Sequence, residues 1–240
     1  MPANPSLTLL DVGCGTASIT TSLAAYLPSG SVTALDISAE ALAPGQAWAR
    51  AAKATNITFK IGSVYSLPFD DNTFDVAHAS QVLGHLNDPV LAIKEMMRVV
   101  KPGGKVALRE ADGTTFSAYP WGEWIEKTVE AVTQHVLIEG AGNLRPGTSL
   151  KAQCRLAGAD VRNVVFSTDT WDFNTRAERE AFGLSWAGRM RDSDNARFAV
   201  RRGILDQEGL ERVAKGWEEW VENEDGWLCI TNGQALITVT

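Results

Sequence analysis

The sequence has few of the residues that build metal centres, disulfide frameworks or basic surfaces. Its three cysteines, Cys14, Cys154 and Cys229, lie far apart among 240 residues, in no spacing typical of metal ligands. We therefore predict ordinary thiols in a reducing compartment, and no metal site. The formal net charge of −7 disfavours a surface that neutralises nucleic-acid phosphates, so no nucleic-acid partner is expected.

Long apolar runs and a targeting signal are also missing from the sequence. No stretch stays apolar over the roughly 20 residues that a membrane-spanning helix needs. The first residues, Met1-Pro2-Ala3-Asn4-Pro5, have neither the basic part nor the apolar part of a secretory signal. We therefore expect a cytoplasmic protein with no membrane partner.

Among the patterns that are present, the most informative lies between Ser6 and Thr20. A short apolar run leads to Asp11, and Gly13 and Gly15 follow at alternate positions. This pattern predicts a buried strand, a tight turn and the start of a helix. Glycine permits a positive φ and a close ligand approach, and the free N–H groups of a helix start can hold a negative group.

A second predicted strand ends in an acidic residue that suits a ribose. Residues 31–35 lead to Asp36, about twenty residues after the glycines. A carboxylate at this position can accept hydrogen bonds from both hydroxyls of a ribose. The sequence therefore indicates an adenosine-type ligand over the carboxyl ends of a parallel sheet.

Predicted strands and helices alternate through the first half of the chain. The strands cover residues 7–12, 32–35, 57–61, 74–79 and 105–109, and the helices cover residues 16–27, 38–53 and 89–100. Pro44-Gly45 predicts a late start or a kink in the second helix, and residues 101–104 predict a helix stop and a turn. The alternation indicates an α/β fold with right-handed crossovers and a mostly parallel sheet.

The second half of the chain is richer in helices and aromatic residues. One helix is predicted within residues 114–142, another over residues 147–156, and two or three more between residues 174 and 224. A strand follows at residues 161–168. Asn232-Gly233 is typical of a tight turn, so a hairpin is predicted between residues 227–231 and 235–239.

Four blocks of the sequence follow one another in a characteristic order. They are residues 10–16, 34–38, 62–69 and 99–105, and residues 74–86 add a further similar segment. In this order and spacing they resemble a class I S-adenosylmethionine-dependent methyltransferase. The resemblance covers residues 7–110 and is to the subgroup of ubiquinone- and menaquinone-biosynthesis methyltransferases, with many fungal small-molecule methyltransferases.

The resemblance implies a fold, a cofactor and a set of binding residues. The fold is a Rossmann-like sheet of seven strands, the last antiparallel, in one domain over residues 1–240. Residues 1–112 would form the cofactor-binding core, and the helical inserts 113–160 and 171–225 would form a substrate lid. The residues implied to bind S-adenosylmethionine are Asp11, Gly13, Cys14, Gly15, Asp36, Ile37, Gly62, Ser63, Val64, Ser80 and Gln81.

These implied roles have alternatives. Asp11 either lies under the methionine part of the cofactor or serves the fold, and Asp36 either holds the ribose or only begins the cap of a helix. Ala17 stands where the family has a third glycine, and its methyl group is tolerable if it points to the helix–sheet contact. Ser63 stands where the family usually has an aspartate beside the adenine, which removes a charge-assisted hydrogen bond.

Methyl transfer needs placement of the acceptor more than a catalytic triad, because the cofactor carries the activated methyl group. His85 is the candidate base, with ordering of its loop as the alternative. The candidate substrate residues are Tyr119, Trp121, Trp124, His135 and Arg145, with helix packing as the alternative for the aromatic ones. The expected activity is methylation of a small organic acceptor at O, N or C, in secondary metabolism.

Two other functions stay open at this point. Family members usually carry tens of residues before their first strand, which here begins almost at once, so the inserts or a second subunit of a homodimer would have to close the site. A protein that binds the cofactor without methylating, or that catalyses another reaction, is therefore one alternative. A nicotinamide-dependent oxidoreductase is the other, although the chain has no Tyr-x-x-x-Lys pair.

Overall fold

A computed structural model describes residues 6–140 and 142–240. The described chain divides into two compact units. The first unit contains the described residues up to Glu110, together with Gly147–Ser167 and Gly233–Thr240. The second contains Ala111–Pro146, apart from residue 141, and Thr168–Asn232. In the part of the chain that the structure describes, no helix combines the length and apolarity needed to cross a bilayer.

The first unit is built on parallel strands whose positions match the sequence prediction closely. Strands β1 (Thr8–Val12), β2 (Ser31–Asp36), β3 (Ile57–Ile61), β4 (Phe74–Ser80) and β5 (Val100–Ala111) pair in the order β3-β2-β1-β4-β5. All four pairings are parallel, so the strands end at one edge of the sheet. Asp11 is in register with Ala34 on one side and with His78 on the other.

Local signals start the helices of this unit. Helices α1 (Ser18–Ala25), α2 (Ala39–Ala51) and α3 (Pro89–Val99) connect the strands. The Ser38 hydroxyl accepts the Ala41 N–H at 3.1 Å, and the Asp88 carboxylate accepts the Leu91 N–H at 2.9 Å. These side chains satisfy N–H groups that a helix start leaves without partners. The predicted late start of α2 is wrong, because the Ser38 cap begins the helix at Ala39 and the helix runs through Pro44.

The segment Lys101-Pro102-Gly103-Gly104 differs from its prediction. Helix α3 does end at Val99, but β5 begins at Val100, earlier than the predicted residue 105. The register between β4 and β5 shifts between Phe74 and Val76 of β4, and Gly103 of β5 adopts a positive φ of 81°. A bulge of this kind absorbs the Pro-Gly-Gly sequence inside a strand, so no separate turn forms.

Later parts of the chain complete the first unit. Helix α5 (Pro146–Leu156), which was predicted as part of the lid insert, lies almost entirely in this unit. Its Leu150 and Cys154 are buried in the same apolar cluster as Val106 and Ile237. After a 3₁₀ turn at Val161–Asn163 come β7 (Val164–Phe173), which belongs to this unit up to Ser167, and later β8 (Trp227–Thr238), which belongs to it from Gly233 onwards. The Gly103 N–H donates to the Val239 carbonyl at 2.8 Å, and the Val239 N–H donates to the Gly104 carbonyl at 3.1 Å, so the end of the chain lies beside β5.

The predicted hairpin at Asn232-Gly233 does not form, because β8 is one continuous strand of 12 residues. A Cβ on Gly233 would overlap the carbonyl oxygen of Gly147. Gly233 therefore serves the close approach of two backbones rather than a turn. The Asn232 side chain is buried and donates to the Ile230 carbonyl at 3.2 Å.

The second unit is mainly helical and has its own aromatic core. Its short strand β6 (Ser117–Tyr119) pairs antiparallel with β8, which makes the sheet eight-stranded, one more than expected. The other elements are α4 (Glu123–Glu139), α6 (Arg176–Arg191), α7 (Asp194–Arg201) and α8 (Gln207–Glu222). Trp217 and Trp220 of α8 are fully buried and pack against Trp124 of α4. The predicted α/β sheet, mostly parallel with an antiparallel last strand, is thus confirmed.

Candidate functional site

The predicted glycine turn lies at the carboxyl end of β1. Gly13, Gly15 and Ala17 all adopt positive φ, with values of 67°, 53° and 58°. The Gly13 and Cys14 N–H groups both donate to the Leu35 carbonyl, at 2.7 Å and 3.1 Å. The turn is therefore fixed to the end of β2, where the acidic residue lies.

The two glycines have different surroundings. A Cβ on Gly13 would lie 2.6 Å from the Val82 side chain, which covers it. A Cβ on Gly15 would meet no atom within 4 Å. The backbone at Gly15 is therefore open to a ligand, whereas the backbone at Gly13 is covered by the loop that follows β4.

Ala17, where the family has a third glycine, adopts the left-handed conformation that glycine favours. Its left-handed φ costs an alanine on the order of 1 kcal/mol. Its methyl group is fully buried, and a Cβ on Gly45 of α2 would lie 2.7 Å from it. The space left by Gly45 thus accommodates the methyl group at the contact between α1 and α2.

The Asp36 carboxylate lies beside the open part of this turn. Its Oδ2 accepts the Gly15 N–H at 2.8 Å, and its Oδ1 accepts the Ser38 N–H at 2.9 Å. A carboxylate oxygen can accept more than one hydrogen bond, so both oxygens keep capacity for a ligand hydroxyl. The next residue, Ile37, is 75% exposed.

Asp11 is buried and already has two side-chain partners. Its Oδ2 accepts the Thr20 hydroxyl at 2.5 Å, and its Oδ1 lies 2.8 Å from Nδ1 of His78. Both contacts are within the fold, and they tie β1 to α1 and to β4. Burial next to Asp11 and Asp36 raises the pKa of the neighbouring Cys14 thiol to about 12, so this thiol stays protonated at neutral pH.

The ends of β3 and β4 carry the other predicted cofactor residues. The Gly62 N–H donates to the Asp36 carbonyl at 3.0 Å, and the Ser63 hydroxyl accepts the Tyr65 N–H at 3.2 Å, with Val64 between them. Among the described residues, the Ser80 hydroxyl is buried without a hydrogen-bond partner. A buried polar atom of this kind usually finds a partner, which a ligand could supply.

The loop from Gln81 to His85 follows β4 and lies over the glycine turn. Gln81 adopts a left-handed φ of 59°, and its N–H donates to the Arg109 carbonyl at 2.9 Å. His85 ends a 3₁₀ turn that begins at Leu83, and it is exposed. The candidate base is thus accessible, on a loop that a neighbouring strand holds.

Glu110 of β5 is a site residue that the sequence did not indicate. Its side chain is buried, and it accepts the N–H groups of Val82, Leu83 and Gly84 at 2.8, 2.8 and 3.3 Å. Burial raises the pKa of this carboxyl, and the three N–H groups oppose that shift. The available signal was an acidic residue on the same strand face as Val106 and Leu108, both apolar and buried.

The predicted substrate residues all belong to the second unit, whereas His85 and the predicted cofactor residues belong to the first. Tyr119 and Trp121 are 60% and 51% exposed. The Trp121 indole N–H donates to Glu126 at 2.7 Å. Both aromatic rings are therefore available for contact with another molecule.

The other three predicted substrate residues are engaged in contacts of the second unit. Trp124 is buried and lies edge-on to Trp217, with ring centroids 4.6 Å apart. His135 is buried, with Nδ1 at 2.6 Å from Oδ1 of Asn195. The Arg145 backbone N–H donates to the Asn143 side chain at 2.9 Å, at the end of the loop before α5.

Comparison with known proteins identifies the family. Residues 10–108 match the model of a methyltransferase domain. The chain is 34% identical over 240 residues to an uncharacterized methyltransferase of Schizosaccharomyces pombe, covering 95% of this chain and 83% of the relative. It is 29% identical over 235 residues to a probable methyltransferase of Aspergillus luteorubrus, covering 91% and 81%. A demethylmenaquinone methyltransferase of Shouchella clausii is 39% identical over 120 residues, covering 50% and 51%.

Solved structures share the fold at lower sequence identity. A putative methyltransferase from Bacillus halodurans has a TM-score of 0.62 and 15% identity, covering 100% of this chain and 95% of that one. Phosphoethanolamine N-methyltransferase 2 of Haemonchus contortus, in complex with S-adenosyl-L-methionine, has a TM-score of 0.56 and 18% identity, covering 98% and 49%. The [4+2]-cyclase SpnF has a TM-score of 0.54 and 23% identity, covering 95% and 74%. The resemblance found in the sequence is confirmed: this chain belongs to the class I methyltransferases, whose cofactor is S-adenosylmethionine.

Proposed function

We propose that this protein transfers the methyl group of S-adenosylmethionine to a small organic acceptor of secondary metabolism, in the cytoplasm. We also propose that the ends of β1 and β2 hold the cofactor. One observation carries this second part: the Asp36 carboxylate lies against the N–H of Gly15, where the backbone is open to a ligand. A ribose with two neighbouring hydroxyls matches the acceptor capacity that Asp36 keeps.

The remaining polar groups fit the other parts of the cofactor. Ile37, which is largely exposed, offers an apolar surface for the adenine, and Ser63 offers a hydroxyl at its edge. The unpartnered Ser80 hydroxyl supports a polar contact with the methionine part, together with Gln81. Asp11 would act from beneath the turn, through the contacts that it makes with α1 and β4.

The bound cofactor supplies a methyl group on a positively charged sulfur. An acceptor atom attacks the methyl carbon in line with the carbon–sulfur bond, and the sulfur leaves as the thioether of S-adenosylhomocysteine. The residues of the chain then have to place the acceptor at about 3 Å and exclude water. An acceptor that carries a proton must lose it, and the exposed His85 is the proposed group for that proton. Tyr119 and Trp121, with exposed rings, are the proposed contacts for a flat acceptor. His135 would line the pocket, and Arg145 would orient the acceptor.

A second candidate function is another reaction on the same fold, with the cofactor bound but its methyl group retained. The structural likeness to a [4+2]-cyclase favours keeping this candidate. The two functions differ in their products, since only methyl transfer releases S-adenosylhomocysteine. Mass spectrometry of reactions with candidate acceptors separates them: growth of that product supports methyl transfer, whereas a changed acceptor without it supports the alternative.

Calorimetric titration of S-adenosylmethionine into Asp36 variants tests the cofactor site. We expect Asp36→Ala to weaken binding by at least about tenfold, since it removes charge-assisted hydrogen bonds of about 1.5–3 kcal/mol each. Asp36→Asn keeps the shape of the side chain and removes its charge, so its affinity for the cofactor should lie between those of Asp36→Ala and the parent protein. Asp70→Ala, in the turn before β4 at the opposite edge of the sheet, is the control and should bind normally. Equal affinity in Asp36→Ala and the parent protein would refute the site.

A further inference from the structure

Glu110 is a buried acid whose hydrogen bonds all go to one loop. Its side chain is 1% exposed, at the carboxyl end of β5. Oε1 accepts the Val82 and Leu83 N–H groups, each at 2.8 Å, and Oε2 accepts the Gly84 N–H at 3.3 Å. These three backbone N–H groups oppose the effect of burial on the pKa of the carboxyl group. The backbone of residues 82–84 is thus what compensates its charge.

The loop that Glu110 holds is the one that covers the glycine turn. Val82 packs closely against Gly13: a Cβ on Gly13 would lie 2.6 Å from the Val82 side chain. Just before it, Gln81 takes a left-handed conformation that the adjacent Arg109 carbonyl fixes. His85 follows Gly84, the last of the three residues that Glu110 contacts. The end of β5 therefore contacts the backbone of the loop from Gln81 to Gly84, next to the candidate base.

A carboxylate meets the geometry of this loop better than a neutral side chain does. Three N–H groups point at two oxygens, and an ionised carboxyl group accepts on both oxygens and donates from neither. A glutamine could keep the two bonds at Oε1, but its amide N–H₂ would face the Gly84 N–H. Ionisation of a buried acid costs the fold stability, as the raised pKa of Glu110 indicates.

We propose that Glu110 is a positioning residue: it anchors the loop from Gln81 to His85 over the glycine turn and thereby sets the affinity for the cofactor. This inference rests on the proposed cofactor site. Glu110 contacts neither the cofactor nor the acceptor, and it acts through the backbone of Val82, Leu83 and Gly84. Loss of the anchor leaves three buried N–H groups without an acceptor, and the loop then opens.

Hydrogen exchange and calorimetry on the full chain test this role. We expect Glu110→Ala to speed exchange at the amides of residues 82–84 at least about tenfold and to weaken S-adenosylmethionine binding by a similar factor. Glu110→Gln should restore slow exchange at Val82 and Leu83 but not at Gly84, and should recover most of the affinity. This rescue by the similar side chain is a pattern that a general loss of stability does not produce.

Glu95→Ala is the matched control. Glu95 is also a carboxylate of the first unit that accepts a loop N–H, from Leu67 at 2.8 Å, but it lies on α3. The Glu95→Ala variant should have a lower melting temperature but unchanged exchange at residues 82–84. Its affinity for S-adenosylmethionine should stay within about twofold of that of the parent protein. Normal affinity in Glu110→Ala, or an equal loss in Glu95→Ala, overturns the inference. If Glu110→Ala does not fold, unchanged exchange at Gly84 in Glu110→Gln overturns it as well. Failure of the parent protein to bind the cofactor would instead refute the proposed function.

Discussion

At the scale of single residues, glycine has two separate uses in the turn after β1. Gly13 combines a left-handed φ of 67° with a contact to Val82 that leaves no room for a Cβ. Gly15 has a similar φ, but the space beside it is open. The first glycine therefore serves the packing of the loop, and the second leaves the space beside the turn open.

Replacement of Gly13 by alanine should separate the cost of the backbone from the cost of the contact. Gly103 also has a positive φ, of 81°, but a Cβ there meets nothing within 4 Å. We expect Gly103→Ala to lose about 1 kcal/mol of unfolding free energy, and Gly13→Ala to lose about 3 kcal/mol, since it adds overpacking. Urea unfolding measures both values. Equal losses in the two variants would show that Val82 does not press on Gly13.

Sequence reasoning located the residues of the turn well, because their signals are local. The alternate glycines, Asp36 and the Ser38 cap each follow from their neighbours in the chain. Glu110 was missed because its partners, Val82, Leu83 and Gly84, lie 26 to 28 residues earlier in the sequence. A single acidic residue in an apolar strand does not indicate which distant backbone N–H groups it accepts hydrogen bonds from.

At the scale of elements, α3 secures the segment that leads into β4. Arg98 donates to the carbonyl oxygens of Leu67 and Phe69 and to the carboxylates of Asp71 and Glu95. Hydrogen bonding to Arg98 lowers the pKa of Glu95 below 4.5, its ordinary value, despite partial burial. The folded state therefore binds a proton at Glu95 more weakly than the unfolded state does.

This shift predicts a pH-dependent effect of Glu95→Gln. A lowered folded pKa contributes stability above the unfolded pKa of 4.5, and that stability is lost as the pH falls through the folded value. At pH 7 we expect the variant to be about 1–2 kcal/mol less stable to urea, and the difference should be smaller at a pH below 4.5. A difference that stays the same at both pH values would contradict the assigned ion pair.

Elements that depend on neighbouring residues in the sequence were predicted correctly, and those that depend on distant contacts were not. Strands β1 to β4 and helices α1 to α3 follow from apolar runs and caps, and the structure places them close to the predicted bounds. The Asn232-Gly233 pair is a strong local turn signal, yet β8 runs straight through it. There the decisive contact is with the backbone of Gly147, far away in the sequence, which no turn rule includes.

At the scale of the whole molecule, the two units have different apolar clusters and different compositions. The first unit buries aliphatic residues around its sheet, including Leu10, Ile93, Met96 and Ile237. The second buries tryptophans of α4 and α8. The first unit is assembled from three separate stretches of chain, so its limits could not be found from the run of signals over residues 7–110 alone.

The family and the α/β fold were predicted from the sequence because the four blocks keep a fixed order in the first unit, where the methyltransferase model matches residues 10–108. The acceptor could not be predicted from the sequence, because methyl transfer does not require a fixed set of catalytic side chains. The residues that we propose as its contacts, Tyr119 and Trp121, lie outside those blocks, where a resemblance in sequence has little to compare.

A crystal structure with bound S-adenosylhomocysteine tests the central claim most directly. We expect the ribose of that molecule to place both hydroxyls about 2.7 Å from the Asp36 carboxylate, and its methionine part to lie over the open backbone of Gly15. Density for the nucleoside elsewhere, with Asp36 contacting only Gly15 and Ser38, would contradict the account.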